Sequence, residues 1–282
     1  MAEKQVTPMD DRIFKALFGN DNKKLLTGFL SALLTDVPKE DIAELQILNA
    51  ARNIRKVNEK ASIVDLRIKT KSGKMLSVEM QKRDKSYFKN RSLFHVCDMY
   101  VSQIDRDNPD YEVEETIVVL LCDFILEKEL RAYHNIARLH YDQSTVRFSE
   151  GLTVHTLELK KLPRVCDGTA LWHYLKFLKS EKEEDLEMVS EEMMGIKEAK
   201  EQYRRLRADK ELMEIIRQED DELYTRNTMI LHARREGKAQ GIEQGIEQGT
   251  LAVAKTMLAA GSSIDYTVQV TGLPKEKILS FH

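Results

Sequence analysis

The stretch Ile63-Val64-Asp65-Leu66-Arg67-Ile68-Lys69, then Lys71-Ser72-Gly73, then Met75-Leu76-Ser77-Val78-Glu79-Met80-Gln81 decides how this chain folds. Side chains two apart on a strand share a face. Val64, Leu66 and Ile68 therefore point one way, and Asp65, Arg67 and Lys69 the other. The return arm sets Leu76, Val78 and Met80 against Glu79 and Gln81. Lys71-Ser72-Gly73 reads as a three-residue hairpin loop with Gly73 in a left-handed conformation. In that register partner numbers sum to 144, so Asp65 faces Glu79 and Ile63 faces Gln81. Cross-strand Cβ atoms lie about 4.5–5.5 Å apart, and like charges placed there repel. A cation between the two carboxylates removes the repulsion, and two carboxylates plus substrate phosphate oxygens suit Mg²⁺. A half-exposed hairpin with ordinary surface acids has the same pattern. A one-residue slip of register would put the two acids on opposite faces.

The surroundings favour a charged ligand. The whole chain of 282 residues carries a net charge of −3, with 42% apolar and 32% charged residues. It has room for one large or two ordinary domains and a real core. From Arg52 to Arg91, however, thirteen Lys or Arg stand against four acids, a local charge of +9. Cations around an acidic centre are what a phosphodiester-cutting metal site needs: the cations hold the polyanion and the carboxylates hold the metal. Lys82, Arg83, Lys85, Lys89 and Arg91 are the expected DNA contacts. A solvated, lysine-rich hairpin face is the alternative reading.

Cys97, Cys122 and Cys166 are far apart and lack zinc spacing. Their apolar contexts predict three buried thiols in a reducing compartment. Met1 to Asp11 is too polar for a secretory signal. The longest apolar run, 116–126, contains Asp123 and is too short to cross a bilayer. A cytoplasmic protein is expected.

Along the chain, Thr7-Pro8-Met9-Asp10 reads as a helix start capped by Thr7. Ile13, Phe14, Leu17 and Phe18 then form its apolar face, and Gly19-Asn20 ends it. A second helix carries Leu25, Leu26, Phe29, Leu30, Leu33 and Leu34. Glu44 to Asn49 reads as a first strand, followed by the hairpin. Ser86 to Ile104 reads as a helix with Leu93, Phe94, Cys97, Tyr100, Val101 and Ile104 on one side. Thr116 to Cys122 is a continuous β-branched apolar run, the mark of a buried central strand. Arg138 to Tyr141 and Val154 to Leu159 are further strands. This order predicts a mixed α/β domain with helices on both faces, over residues 1–180. Beyond it the strand signal fades, and an all-helical extension is expected over 181–250.

That extension ends in Gly237, Gly241, Gly245 and Gly249, four residues apart. On a helix these draw a flat stripe, and each glycine costs about 1 kcal/mol against alanine. Close approach of a second helix would offset that, and a homodimer is the simplest supply. A frayed linker is the other reading. Glu243, Gln244, Glu247 and Gln248 argue against a membrane helix. Residues 251–282 read as a small module of helix-turn-helix outline. Lys275 and Lys277 alone give it little reach toward bases, so helical packing fits better than DNA reading.

Taken together, Asp11-Arg-Ile-Phe-Lys15-Ala-Leu-Phe18-Gly19, Ile47-Leu48-Asn49, Asp65-Leu-Arg-Ile-Lys69, Val78-Glu79-Met80-Gln81, Arg91-Ser-Leu-Phe94, Leu157-Glu158-Leu159-Lys160 and Trp172 resemble the recombination-promoting nuclease and transposase family of the PD-(D/E)XK nuclease superfamily. The glycine repeat and Thr271-Gly272-Leu273 also look like its members. The resemblance runs over nearly the whole chain in order. It implies a restriction-endonuclease-like fold and Mg²⁺-dependent or other divalent-metal-dependent DNA cleavage. It also implies a role in recombination or transposition in bacteria, at the nucleoid when DNA-bound. Asp65 would be the motif aspartate and Glu79 the second metal carboxylate, with the main-chain carbonyl of Met80 as a third ligand. Gln81 stands where the superfamily usually has lysine, and the family commonly has glutamine there. An amide orients by hydrogen bonds but brings no charge, so a cation is needed elsewhere. Arg67 and Lys69 share the Asp65 face, whereas Lys82 points to the other. Asp11 is either a further site acid or the partner of Lys15 in an i, i+4 salt bridge. A catalytically degenerate DNA-binding or assembly protein on the same fold is the alternative.

Overall fold

The computed structural model describes residues 6–19, 23–48, 66–84, 87–104 and 111–280. Asp65 and Lys85 lie outside them, as do Ile63, Val64 and residues 52–60 of the basic block. Six strands form one sheet in the order β1-β2-β3-β4-β6-β5. They are β1 (Gln46–Ile47), β2 (Leu66–Lys69), β3 (Met75–Gln81), β4 (Thr116–Cys122), β5 (His134–Arg138) and β6 (Leu152–Glu158). β1, β2 and β3 pair antiparallel, β3, β4 and β6 run parallel, and β5 returns antiparallel along the edge. The sheet is mixed and flanked by helices, as the element order predicted.

The hairpin has the expected register. Leu66 pairs with Val78, Arg67 with Ser77, Ile68 with Leu76 and Lys69 with Met75, each sum being 144. Gly73 takes φ +101, and the Thr70 N–H donates to the Lys74 carbonyl at 3.0 Å, closing the three-residue loop. Every residue of β4 is buried, as its unbroken apolar run requires. β5 lies earlier than expected, and residues 139–148 instead form a turn carrying an isolated bridge between His140 and Arg147.

One face of the sheet meets the large core. Leu66, Ile68, Leu76, Val78, Ile117, Val119, Leu121 and Leu157 lie there. Against them pack α1 (Asp11–Phe18), α2 (Lys23–Leu33), α5 (Ala170–Leu178) and α7 (Ile196–Ala208). α3 (Lys39–Ala43) adds Ile42, and α6 (Glu183–Glu187) adds Leu186. α4 (Phe88–Val101) covers the other face, where Phe88 and Val96 meet Val118, Leu120 and Cys122.

Several expectations need correction. α1 begins at Asp11, not after a Thr7 cap, because the Asp10 carboxylate accepts the Thr7 N–H at 2.6 Å and closes a turn ahead of the helix. α4 turns its other side to the sheet: Phe88, Ser92, Val96 and Met99 are buried, while Leu93, Phe94, Cys97 and Val101 are exposed. Of the cysteines only Cys122 is buried, and Cys166 is exposed like Cys97. Burial pushes the Cys122 thiol pKa up to about 12.

The compact unit containing the sheet runs to Ile216, beyond the expected end at 180. Leu186, Val189, Ile196, Ala199, Tyr203, Leu212 and Ile216 belong to the same core as the sheet, so their helices are part of it. A second unit spans Arg217–His282. It holds most of α8 (Lys210–Ala259), with α9 (Ile264–Thr271) and α10 (Lys275–Leu279). Ala254, Thr267 and Ile278 are its fully buried residues among those described. No helix among the described residues is long and apolar enough to cross a membrane.

Candidate active site

β3 places Ser77, Glu79 and Gln81 on the α4 side, because its alternation has already committed Leu76 and Val78 to the large core. Glu79 is only 1% exposed. The Ser92 hydroxyl of α4 donates to Glu79 Oε2 at 3.2 Å, and Oε1 is buried with no partner among the described residues. Burial raises the Glu79 carboxyl above its usual range, against the pull of His95, the Ser92 hydrogen bond, Arg91 and Arg67. Ionising a carboxyl so enclosed disfavours the fold unless a cation or donors compensate it.

α4 supplies the cationic side of the site. Arg91 Nη2 donates to Gln81 Oε1 at 3.2 Å. The Arg91 guanidinium also lies 5.7 Å from the Phe88 ring centroid and 5.9 Å from that of Tyr87. His95 follows one turn later, with Nε2 buried and unpartnered among the described residues. Arg67 pairs with Asp98 of α4 at 3.6 Å and lies within electrostatic reach of Glu79.

The other candidate residues are distributed as follows. Lys69 sits at the hairpin end, opposite Met75, lining a cavity of about 650 Å³ with Gly73 and Gln103. Lys82 leaves the site side: its Nζ reaches Asp10 Oδ1 at 2.7 Å. Lys89 pairs with Glu127, and Arg83 is exposed. Asp11 pairs with Lys15 at 2.6 Å. Met80 turns its side chain toward the large core. The structure thus gathers Glu79, Gln81, Arg67 and Arg91, and it sets Lys69, Lys82 and Asp11 apart from them. Ser92 and His95 were missed in the sequence, although their spacing from Arg91 and Phe88 is that of one helix face.

A model of the PD-(D/E)XK nuclease family transposases matches residues 8–233. The chain belongs to that family. No curated protein and no solved structure matches it. A PD-(D/E)XK nuclease typically uses a divalent metal, and the donor chemistry fits one. Glu79 offers a buried carboxylate oxygen that nothing described satisfies, and hard cations take oxygen ligands. Among the described residues no three His, Cys, Asp or Glu gather into a metal-holding group. Asp65, which would be Glu79's companion in the PD-(D/E)XK pattern, precedes the first described residue of β2.

Proposed function

We propose that this transposase-family protein is a divalent-metal-dependent DNA endonuclease, hydrolysing phosphodiester bonds during recombination or transposition in the bacterial cytoplasm. The supporting observation is Glu79: a buried carboxylate with one oxygen held by Ser92 and the other without a partner among the described residues, close to Arg67, Arg91 and His95. Asp65 and Glu79 would hold the metal, with the Met80 main-chain carbonyl as a third ligand. The metal, Mg²⁺ for preference, would polarise a phosphate oxygen and make water a nucleophile at neutral pH. Gln81 would orient its neighbours by hydrogen bonds. Arg67 is the better placed of the two strand cations, because Lys69 stands at the far end of β2. Arg83, Lys85 and Arg91 would track the DNA backbone, and Lys82 and Lys89 would join them by exchanging their present partners.

A non-cleaving DNA-binding or assembly protein is the second reading, favoured by the uncharged Gln81. Nicking of supercoiled plasmid by the pure protein separates the two. The endonuclease requires nicking that appears with Mg²⁺, stops with chelator and disappears in Glu79→Gln. Salt-sensitive DNA binding with no nicking in any divalent metal would establish the second reading instead. A homodimer through the C-terminal helices belongs to the same proposal, since two sites are needed to cut both strands together.

A further inference from the structure

Glu79 Oε1, Arg91 Nε and His95 Nε2, together with Ser77 Oγ and Glu158 Oε1, are buried on the α4 side of the sheet and lack a partner among the described residues, and of these Arg91 and His95 lie within electrostatic reach of Glu79. An unsatisfied buried group disfavours the fold, so Glu79, Arg91 and His95 together call for something that completes them. The atoms differ in what they need. Glu79 Oε1 accepts and attracts a cation. Arg91 Nε–H donates only, and the imidazole of His95 donates when Nε2 is protonated. A bound cation alone would leave the two nitrogens unpaired, and a bound anion alone would face the carboxylate. A phosphodiester accompanied by a divalent cation satisfies all three.

The guanidinium is held in place for that task. Its Nη2 is tied to Gln81 Oε1 and its plane rests near the rings of Phe88 and Tyr87. Four residues on, His95 lies above Arg91 on the same helix face. Between them Ser92 fixes the orientation of Glu79. The elements carrying the negative and positive groups are thus cross-braced by two hydrogen bonds, Ser92 to Glu79 and Arg91 to Gln81.

We propose that Arg91 and His95 of α4 bind a non-bridging oxygen of the target phosphodiester, and that Gln81 positions Arg91 for it. The charge absent at residue 81 is then supplied from the helix. The proposal rests on the nuclease reading above. It gives Gln81 a positioning role: an amide oxygen can hold a guanidinium, which a lysine at 81 would repel. Arginine suits the task because its planar fork matches phosphate geometry and its charge is permanent.

The experiment uses the full chain with Arg91→Ala, Arg91→Lys, His95→Gln and Gln81→Leu, each checked for folding by thermal melting. A fluorescent DNA duplex is titrated in Ca²⁺ over a range of salt, and single-turnover nicking is measured in Mg²⁺. Arg91→Ala should lower the nicking rate by about 100-fold or more, the scale for one lost charge-stabilising donor. It should also make the salt dependence of binding shallower by about 0.9, one phosphate's worth. Arg91→Lys should keep the slope and recover less than about a tenth of the rate. His95→Gln should slow nicking by about 10-fold or more. Gln81→Leu should slow nicking with the slope unchanged, since the charge remains. A folded Arg91→Ala with wild-type slope and rate overturns the proposal. Should that variant fail to fold, an Arg91→Lys protein with full rate overturns it equally. Wild-type protein that binds duplex but never nicks sinks the nuclease reading alone, and the salt slopes then still judge the phosphate contact.

Discussion

Glu79 concentrates the residue-scale argument. Its pKa is raised above the ordinary value of a glutamate, chiefly by burial. The folded state therefore holds the Glu79 proton more tightly than the unfolded chain does. The resulting stabilisation is complete below about pH 4.5 and is lost as pH rises through the folded pKa. Above that window the ionised carboxylate weakens the fold. Glu79→Gln should accordingly melt higher than wild type at pH 8 in chelator, and the difference should close as the pH falls through that window. Mg²⁺ should reverse the order. A cation at one hundred times its dissociation constant stabilises the wild type by about 2.7 kcal/mol, and the variant should gain little. Equal Mg²⁺ responses in the two proteins would remove Glu79 from the metal site. The sequence made Glu79 visible because strand alternation left it nowhere else to point. It could not show Ser92 and His95, whose relation to Glu79 depends on which side of α4 meets the sheet. Nor could it show that Lys82 reaches Asp10, a contact between residues 72 apart.

Among the elements, legibility followed how little each choice depended on distant partners. The β2–β3 hairpin is local: its alternation and the Ser72-Gly73 turn fix register together, and the paired residues match the expectation. β4 is legible because only a central strand buries seven residues in a row. α4 is the opposite case. Leu93, Phe94, Cys97 and Val101 make the more apolar side, yet the helix presents Arg91, Ser92 and His95 toward Glu79 and Gln81. The side that meets the sheet joins these polar contacts to the packing of Phe88 and Val96 on Val118, Leu120 and Cys122, a match that only the sheet's own residues reveal. The contact of α2 with α7 was equally invisible. Gly195 takes φ +77, and a Cβ there would stand 2.3 Å from the Leu25 nitrogen and 2.6 Å from its Cα. Left-handed strain and overpacking each cost about 1–3 kcal/mol. Gly195→Ala should therefore destabilise the protein by about 2 kcal/mol or more, a loss of at least about 4 °C in melting temperature for a unit of this size. An unchanged melting curve would show that α7 does not approach α2 this closely.

For the whole molecule, the division at Ile216 changes how self-association is tested. A chain ending near Lys200, the natural cut for a domain closing at 180, would remove Tyr203, Leu212 and Ile216 from the core. Tyr203 is fully buried and its hydroxyl donates to the Val6 carbonyl at 2.7 Å. Such a truncation would confuse unfolding with loss of a partner, so the cut belongs after Ile216. Beyond it, a Cβ added at Gly237, Gly241, Gly245 or Gly249 would meet nothing within 4 Å among the described residues outside its own helix backbone. The glycine stripe is thus open among the described residues, and Ile242 and Ile246 beside it are 54% and 65% exposed. In an isolated helix Gly241→Ala should stabilise by about 1 kcal/mol. In a dimer packed along the stripe the added methyl should instead weaken association, because it holds two backbones apart. Light scattering decides between them. The full chain should be a dimer at micromolar concentration, the chain ending at Ile216 a folded monomer, and Gly241→Leu shifted toward monomer. A monomeric full chain, or a truncation that stays dimeric, would remove the stripe as the contact. A paired cut of both DNA strands would then require two molecules meeting only on the DNA.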